Sequence, residues 1–315
     1  MKETFMPESL MKERFPEIIL EQPEIVELKD DLYKKNNVRV YVLRLDKVHP
    51  VISGNKLFKL CYFLADTKKS KHKKIITFGG AYSNHLAATA FACKAMDFKC
   101  IGIIRGEQPE IHSPTLLFCK ENGMQLEFIS RKSYKEKDEK GFAGELENKY
   151  GEHVLIPEGG FSIKGKEGAA LINEFLCGKN YTFVCLPVGT ATTFAGIMER
   201  NDNESEIIGF SVLKGFRDIE ERLFTLHVNK AKKYTLIEDY HFGGYAKKTN
   251  ELISFMNNFY EQHKIPLDFV YTGKMMFRVN DLINKKYFSP GSQILCIHTG
   301  GLQGNNSLPE GTLVY

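Results

Sequence analysis

The sequence lacks the marks of several large function classes. It carries seven cysteines but no Cys-x-x-Cys, and several sit inside apolar runs such as Phe183-Val184-Cys185-Leu186. An odd, scattered set of this kind reads as reduced core residues of a protein from a reducing compartment. No run approaches the length of a membrane span, and the opening Met1-Lys2-Glu3-Thr4-Phe5-Met6-Pro7-Glu8 has no apolar segment of a secretion signal. A cytoplasmic protein with no membrane partner is therefore expected. The net charge is only +4, too small and too dispersed to imply a nucleic-acid partner, and the basic runs at 68–74 and 131–137 read as solvated surface. Also missing are a spaced His/Cys/Asp cluster for a metal, a Gly-x-Ser-x-Gly hydrolase elbow, a Gly-Lys-Ser/Thr nucleotide loop and a Gly-x-Gly-x-x-Gly dinucleotide fingerprint. No internal repeat or low-complexity tract is found.

What is present is an ordinary globular composition, 43% hydrophobic and 26% charged over 315 residues, enough for a large α/β core. Residues 1–37, with Pro7, Pro16 and Pro23, read as an irregular arm. Residues 38–45 alternate as a strand does. A first series follows: strand 75–78, helix 83–96, strand 100–104, a helix capped by Ser113 with Pro114 at its first position and Gly123 past its end, strand 125–129, a charged helix 133–150 and strand 153–157. A second series has a helix at 168–175, strand 182–186, strand 207–212, helix 217–228, strand 234–237, helix 248–263, strand 269–271, helix 274–286 and strand 294–298. Such alternation predicts right-handed crossovers and parallel sheets. The break near residue 158 predicts two of them, a larger unit of residues 1–58 with 159–315 and a smaller one of 59–158, with the site in the cleft between.

Ligands in open parallel sheets sit beyond the carboxyl ends of the strands, and this chain's glycine-rich loops fall there. Ser53-Gly54-Asn55-Lys56-Leu57-Phe58-Lys59 leads a glycine turn into a helix with two lysines on one face. Leu186 to Gly196 runs from a strand through Gly189, Thr190, Ala191, Thr192 and Thr193 into a helix, offering amides and hydroxyls to a phosphate. Gly79-Gly80-Ala81-Tyr82-Ser83-Asn84-His85 offers the same to a carboxylate. Tyr271-Thr272-Gly273-Lys274 and His298-Thr299-Gly300-Gly301 end the last two strands; His298 reads as structural.

Together these segments resemble, in order and spacing over about Val38 to Leu302, the pyridoxal-phosphate enzymes comprising 1-aminocyclopropane-1-carboxylate (ACC) deaminase and D-cysteine desulfhydrase. That resemblance implies the tryptophan-synthase-β-like fold (fold type II), pyridoxal 5'-phosphate as cofactor, a small amino acid as substrate and a homodimer. It implies that Lys56 bonds the cofactor aldehyde. Gly189, Thr190, Ala191, Thr192 and Thr193 would hold the phosphate with help from Lys59. Asn84 would meet the phenolic oxygen, and Ser83 the substrate carboxylate or a proton in transfer. Tyr271 and Tyr245 would stand over the reacting carbon, Thr272 would face the pyridine nitrogen, and Thr299 would complete the cofactor contacts.

Three positions depart from the family pattern: Phe58 where many members have arginine, Ser53 for a glycine, and Ala191 for a phosphate-loop glycine, which is tolerable if its φ is negative. Thr272 stands where ACC deaminase is expected to have glutamate and D-cysteine desulfhydrases threonine. A neutral partner weakens the electron sink, which suits β-elimination better than opening a cyclopropane ring. The expectation is a D-cysteine desulfhydrase-like deaminating lyase, with ACC deaminase as the alternative and a non-catalytic phospho-ligand-binding module as the alternative of another class.

Overall fold

The computed structural model describes residues 15–139, 141–201, 205–229 and 233–315. In chain order the first part comprises β1 (Ile25–Leu28), α1 (Asp31–Lys35), β2 (Arg39–Arg44), α2 (Asn55–Lys69), β3 (Lys74–Gly79), α3 (Asn84–Ala95), β4 (Lys99–Arg105), α4 (Pro114–Glu121), β5 (Met124–Ile129), α5 (Arg131–Lys135), α6 (Phe142–Tyr150) and β6 (Val154–Ile156). The second comprises α7 (Ile163–Ala170), β7 (Phe183–Val188), α8 (Thr192–Glu199), β8 (Glu206–Ser211), α9 (Ile219–Thr225), β9 (Tyr234–Ile237), α10 (Asn250–His263), α11 (Thr272–Asn284) and β10 (Gln293–His298).

Two sheets result, of order β1-β2-β10-β7-β8-β9 and β5-β4-β3-β6. Every pairing is parallel except that of β1 with β2. Strands covered on both faces carry continuous apolar sequence, as in Phe183–Val188, buried from its second residue onward. The largest apolar cluster runs through both sheets: Leu57, Leu60 and Leu64 of α2 join Ile75 of β3 and Leu186 of β7 in it. The helix that begins at Asn55 is thus the packed link between them. Among the described residues, no helix is long and apolar enough to cross a membrane.

Several expected elements differ. The arm is partly regular, since β1 pairs with β2 and α1 is capped by the Asp30 side chain; residues 1–14 lie outside the described residues. The charged helix 133–150 divides into α5 and α6. The helix expected at 168–175 starts earlier, under the Ser162 cap, and tightens into a 3-10 turn at Leu171–Leu176. Its Gly168 is a packing site and not a start, for a Cβ there would lie 2.0 Å from the Phe58 carbonyl oxygen of α2. The strand expected at 269–271 is a turn. Phe269 and Val270 are buried as a strand's would be, but their amides bond Asn305 Oδ1 and Asp268 Oδ2 instead of a neighbouring strand. None of the seven cysteines is in a disulfide, and Cys177 is exposed and not in the core.

Candidate active site

Gly54 sets the position of the lysine helix. Its φ of +68° lies in the region that favours glycine, and a Cβ there would fall 1.7 Å from the Thr299 carbonyl oxygen. The chain turns against the end of β10: the Asn55 amide donates to the Thr299 carbonyl (3.1 Å), and the Gly301 amide donates to Ser53 Oγ (3.0 Å). Asn55 Nδ2 reaches across to Thr193 Oγ1 (2.7 Å). Lys56 follows, its ammonium donating to Asn55 Oδ1 (2.6 Å) and lying 5.9 Å from the centre of the Tyr271 ring. Burial brings its pKa down to about 8, against the opposing pull of the Asp268 carboxylate. Lys59, one turn on, donates to the Gly159 carbonyl (2.6 Å); burial and the charge of Lys56 hold it well below the ordinary lysine value.

The threonine loop opens α8. Ala191 occupies the N-cap with φ +67° and offers no side-chain cap, so the first-turn amides face the site without an intrahelical carbonyl. The condition for an alanine here, a negative φ, is not met: Ala191 takes the left-handed conformation that glycine would hold without strain. Thr190 and Thr192 bond each other through their hydroxyls (3.0 Å). A Cβ on Gly159 would meet Thr190 Cγ2 at 3.0 Å, and one on Gly189 would meet Tyr271 Cε1 at 3.1 Å. The loop, the Lys59 acceptor and Tyr271 are thus contiguous. Uncapped amides, hydroxyls and a nearby ammonium make a donor set that fits a phosphate.

The opposite wall comes from the small sheet. Ser83 caps α3 by accepting from the Leu86 amide (3.3 Å), which leaves its hydroxyl proton for another acceptor. Asn84 Nδ2 donates to the Gly301 carbonyl (2.9 Å), joining the two sheets' loops, while its Oδ1 is buried without a partner among the described residues. The next residue was given no role by sequence reasoning. His85 Nε2 meets Thr77 Oγ1 at 2.8 Å, and that hydroxyl gives its own proton to the Ile156 carbonyl (2.9 Å). The imidazole must then donate from Nε2, leaving Nδ1 as a buried acceptor without a partner among the described residues. Burial, then the charges of Lys59 and Lys56, keep this histidine neutral, its pKa well below the ordinary value.

The third wall is the start of α11, organised by a residue that sequence reasoning missed. Asp268 is fully buried. Its Oδ2 accepts from the amides of Val270 (3.0 Å) and Tyr271 (2.8 Å), and its Oδ1 from the amide (2.9 Å) and hydroxyl (2.7 Å) of Thr272. The readable signal was an acidic side chain a few residues ahead of a helix start. Thr272 is consequently turned toward Asp268 and has no exposed surface, so it underlies the site and does not line its open part. Tyr271 does line it. Tyr245 stacks edge-on to Tyr271, ring centres 6.1 Å apart, with 46% of its surface exposed. Burial raises both phenols, Tyr271 the further because Tyr245 adds to the effect; both are neutral at physiological pH. Thr299 is buried, its carbonyl joined to the lysine helix. His298 is buried beneath this loop, Nε2 bonded to the Pro266 carbonyl (2.7 Å).

The chain is similar to known proteins over nearly its whole length. A protein of Pyrococcus abyssi named "Putative 1-aminocyclopropane-1-carboxylate deaminase" is 30% identical, covering 92% of this chain and 93% of its own. One of Pyrococcus furiosus with the same name is 31% identical, covering 84% and 85%. Among solved structures, one described as an ACC deaminase homologue superposes with a TM-score of 0.78 at 25% identity, over 97% of this chain and 96% of its own. A serine racemase from Dictyostelium discoideum, with a TM-score of 0.66 at 14% identity over 93% and 96%, shares the fold. The family model described as pyridoxal-phosphate dependent enzyme matches residues 24–300, from β1 to the glycines beyond β10. A phosphate cradle, a deprotonation-prone lysine and an unpaired asparagine oxygen on the facing wall thus have a common explanation: the chain belongs to the family of pyridoxal-phosphate dependent enzymes.

Proposed function

We propose that this enzyme deaminates a small α-amino acid, with D-cysteine as the leading substrate: D-cysteine and water give pyruvate, ammonia and hydrogen sulfide. The observation that carries the reading is the placement of the Lys56 amine, bonded to Asn55 Oδ1 and 5.9 Å from the Tyr271 ring, on a helix whose Asn55 also bonds Thr193 of the phosphate-type loop. When bound, pyridoxal phosphate supplies an aldehyde for covalent attachment and a ring that accepts the electron pair left at Cα.

The chain's own residues do the rest. The amides of residues 189–193 with Lys59 would hold the phosphate, and Asn84 would contact the ring from the small-sheet side. Ser83 and its loop receive the substrate carboxylate. Lys56 removes the proton at Cα. Tyr271, its ring 5.9 Å from the amine, and Tyr245, edge-on to Tyr271, are neutral phenols that stand ready to protonate the departing group. The site then lies between a smaller unit, residues 59–158, and a larger one formed by the remainder. We take the working form to be a cytoplasmic homodimer, which sedimentation of the purified protein would test.

The choice of D-cysteine rests on Thr272. It stands where the resemblance expects glutamate in ACC deaminase and threonine in D-cysteine desulfhydrases, and a neutral residue there favours substrates with a good leaving group. ACC deamination, in which ACC and water give 2-oxobutanoate and ammonia, is the second reading, favoured by the names of the Pyrococcus relatives. A non-catalytic phospho-ligand module is set aside by membership in a family of enzymes. Parallel assays for sulfide from D-cysteine and 2-oxobutanoate from ACC decide between the substrates. Production of neither, across D- and L-amino acids, would remove both.

A further inference from the structure

Lys274 is a buried ion that the chemistry proposed above does not use. It lies in the first turn of α11, 1% exposed, where its neighbours Met275, Met276 and Val279 are apolar. Methionine would fill such a place without the cost of desolvating an ammonium. Its Nζ donates to two backbone carbonyls, those of His241 and Gly244, each at 2.8 Å. Both belong to residues 238–249, which join β9 to α10 without helix or strand.

This loop carries Tyr245. The Gly244 carbonyl belongs to the peptide unit whose N–H is that of Tyr245, so the ammonium fixes the plane from which the tyrosine projects. The backbone here passes through positive φ at Phe242 (+51°), Gly243 (+94°), Gly244 (+119°) and Ala246 (+54°), a path that persists only where surrounding contacts impose it. The amide bonds of Gly243, Gly244 and Lys247 close on His241 and Gly244 within the loop itself. Lys274 ties this part of the loop to the helix whose N-cap is Tyr271.

We propose that Lys274 is a positioning residue, its ammonium clamping the 241–245 loop so that Tyr245 stands against Tyr271 above Lys56. The inference rests on the assignment of the two tyrosines to the reacting carbon, and it names the part that holds one of them in place.

The test compares the holoenzyme with Lys274→Met and Lys274→Gln, the second keeping donors but no charge. Trypsin reports on the loop directly, because Lys247 and Lys248 are exposed beside it. Cleavage after them should be at least about tenfold faster in Lys274→Met under native conditions, with Lys274→Gln between it and the parent. In a cycle with Tyr245→Phe, the losses in kcat/KM should fail to add, because both substitutions remove one arrangement. Cleavage within about twofold of the parent, or additive losses, would overturn the proposal. If Lys274→Met does not fold, Lys274→Gln carries both measurements against the same limits. Trypsin needs no substrate, so absence of turnover with every amino acid would sink the functional reading while cleavage alone still judges the clamp.

Discussion

Two lysines begin two helices of this protein, and in their charge they are nearly twins. Lys56 in α2 and Lys274 in α11 are each brought to about 8 by burial, and each is partly supported by the same carboxylate, Asp268. They differ in what their amines touch. Lys274 is held by two carbonyls on a loop, whereas Lys56 has one amide oxygen, from its neighbour Asn55, and then the tyrosine ring. In the roles proposed above, the same destabilised ammonium is a fixture where its protons are committed and a reagent where they are not. A depressed lysine pKa therefore does not by itself mark a catalytic group; the partner set decides.

Lys56→Ala should break the comparison most completely. Turnover should fall about a thousandfold or more, and visible absorbance that borohydride bleaches in the parent should be absent, while the fold persists. A variant retaining a tenth of the parent rate would contradict the role given to this amine.

Gly54→Ala attacks the setting and not the reagent. The left-handed φ and the 1.7 Å approach to Thr299 should together cost about 3 kcal/mol of stability, read from the urea midpoint. An unchanged midpoint would mean that the turn against β10 is not needed to seat Lys56.

A third measurement asks how alike the twins are. For each lysine the folded pKa is about 8 and the unfolded one about 10.4. The unfolded chain binds more protons between these values, so stability rises with pH there and carries the full penalty below them. In cofactor-free protein, Lys56→Met and Lys274→Met should each reduce the slope of stability against pH between about 8 and 9.5, by similar amounts; Lys59 keeps its share in both. Slopes equal to the parent's would show that the amines are not destabilised in the fold.

The smallest effect is expected at Ala191→Gly. Relief of the left-handed strain, about 1–2 kcal/mol, is offset by the greater freedom of glycine in the unfolded chain, leaving a gain of about 0.5–1 kcal/mol. Differential scanning calorimetry should show a modestly higher Tm; a lower one would mean that the Ala191 methyl packs better than its φ of +67° implies.

Much of the scaffold was legible because the signals were local. Ser83, Ser113 and Thr249 cap helices with their own side chains, and such starts are written within four residues. The triplet 269–271 misled for the opposite reason: its burial comes from distant packing, and its amides are claimed by Asp268 and Asn305, which no short apolar pattern reveals. Ala191 was read as tolerable at negative φ because a side chain's identity says nothing of the backbone turn that a following helix imposes. His85 lay within a quoted motif, but its bare Nδ1 follows only from knowing that Thr77 has already given its proton to Ile156.

By itself the sequence determined the parallel α/β architecture, the glycine turn that starts the lysine helix, and the loops at the strand ends that supply amides and hydroxyls, because periodicity, caps and turns act over a few residues. Only the tertiary structure decided how each of the two similar lysines is held. The Asp268 charge and Tyr271 ring near the Lys56 amine, and the His241 and Gly244 carbonyls that hold Lys274, come from positions far apart in the chain, so what surrounds each buried ammonium depends on where those groups lie in space.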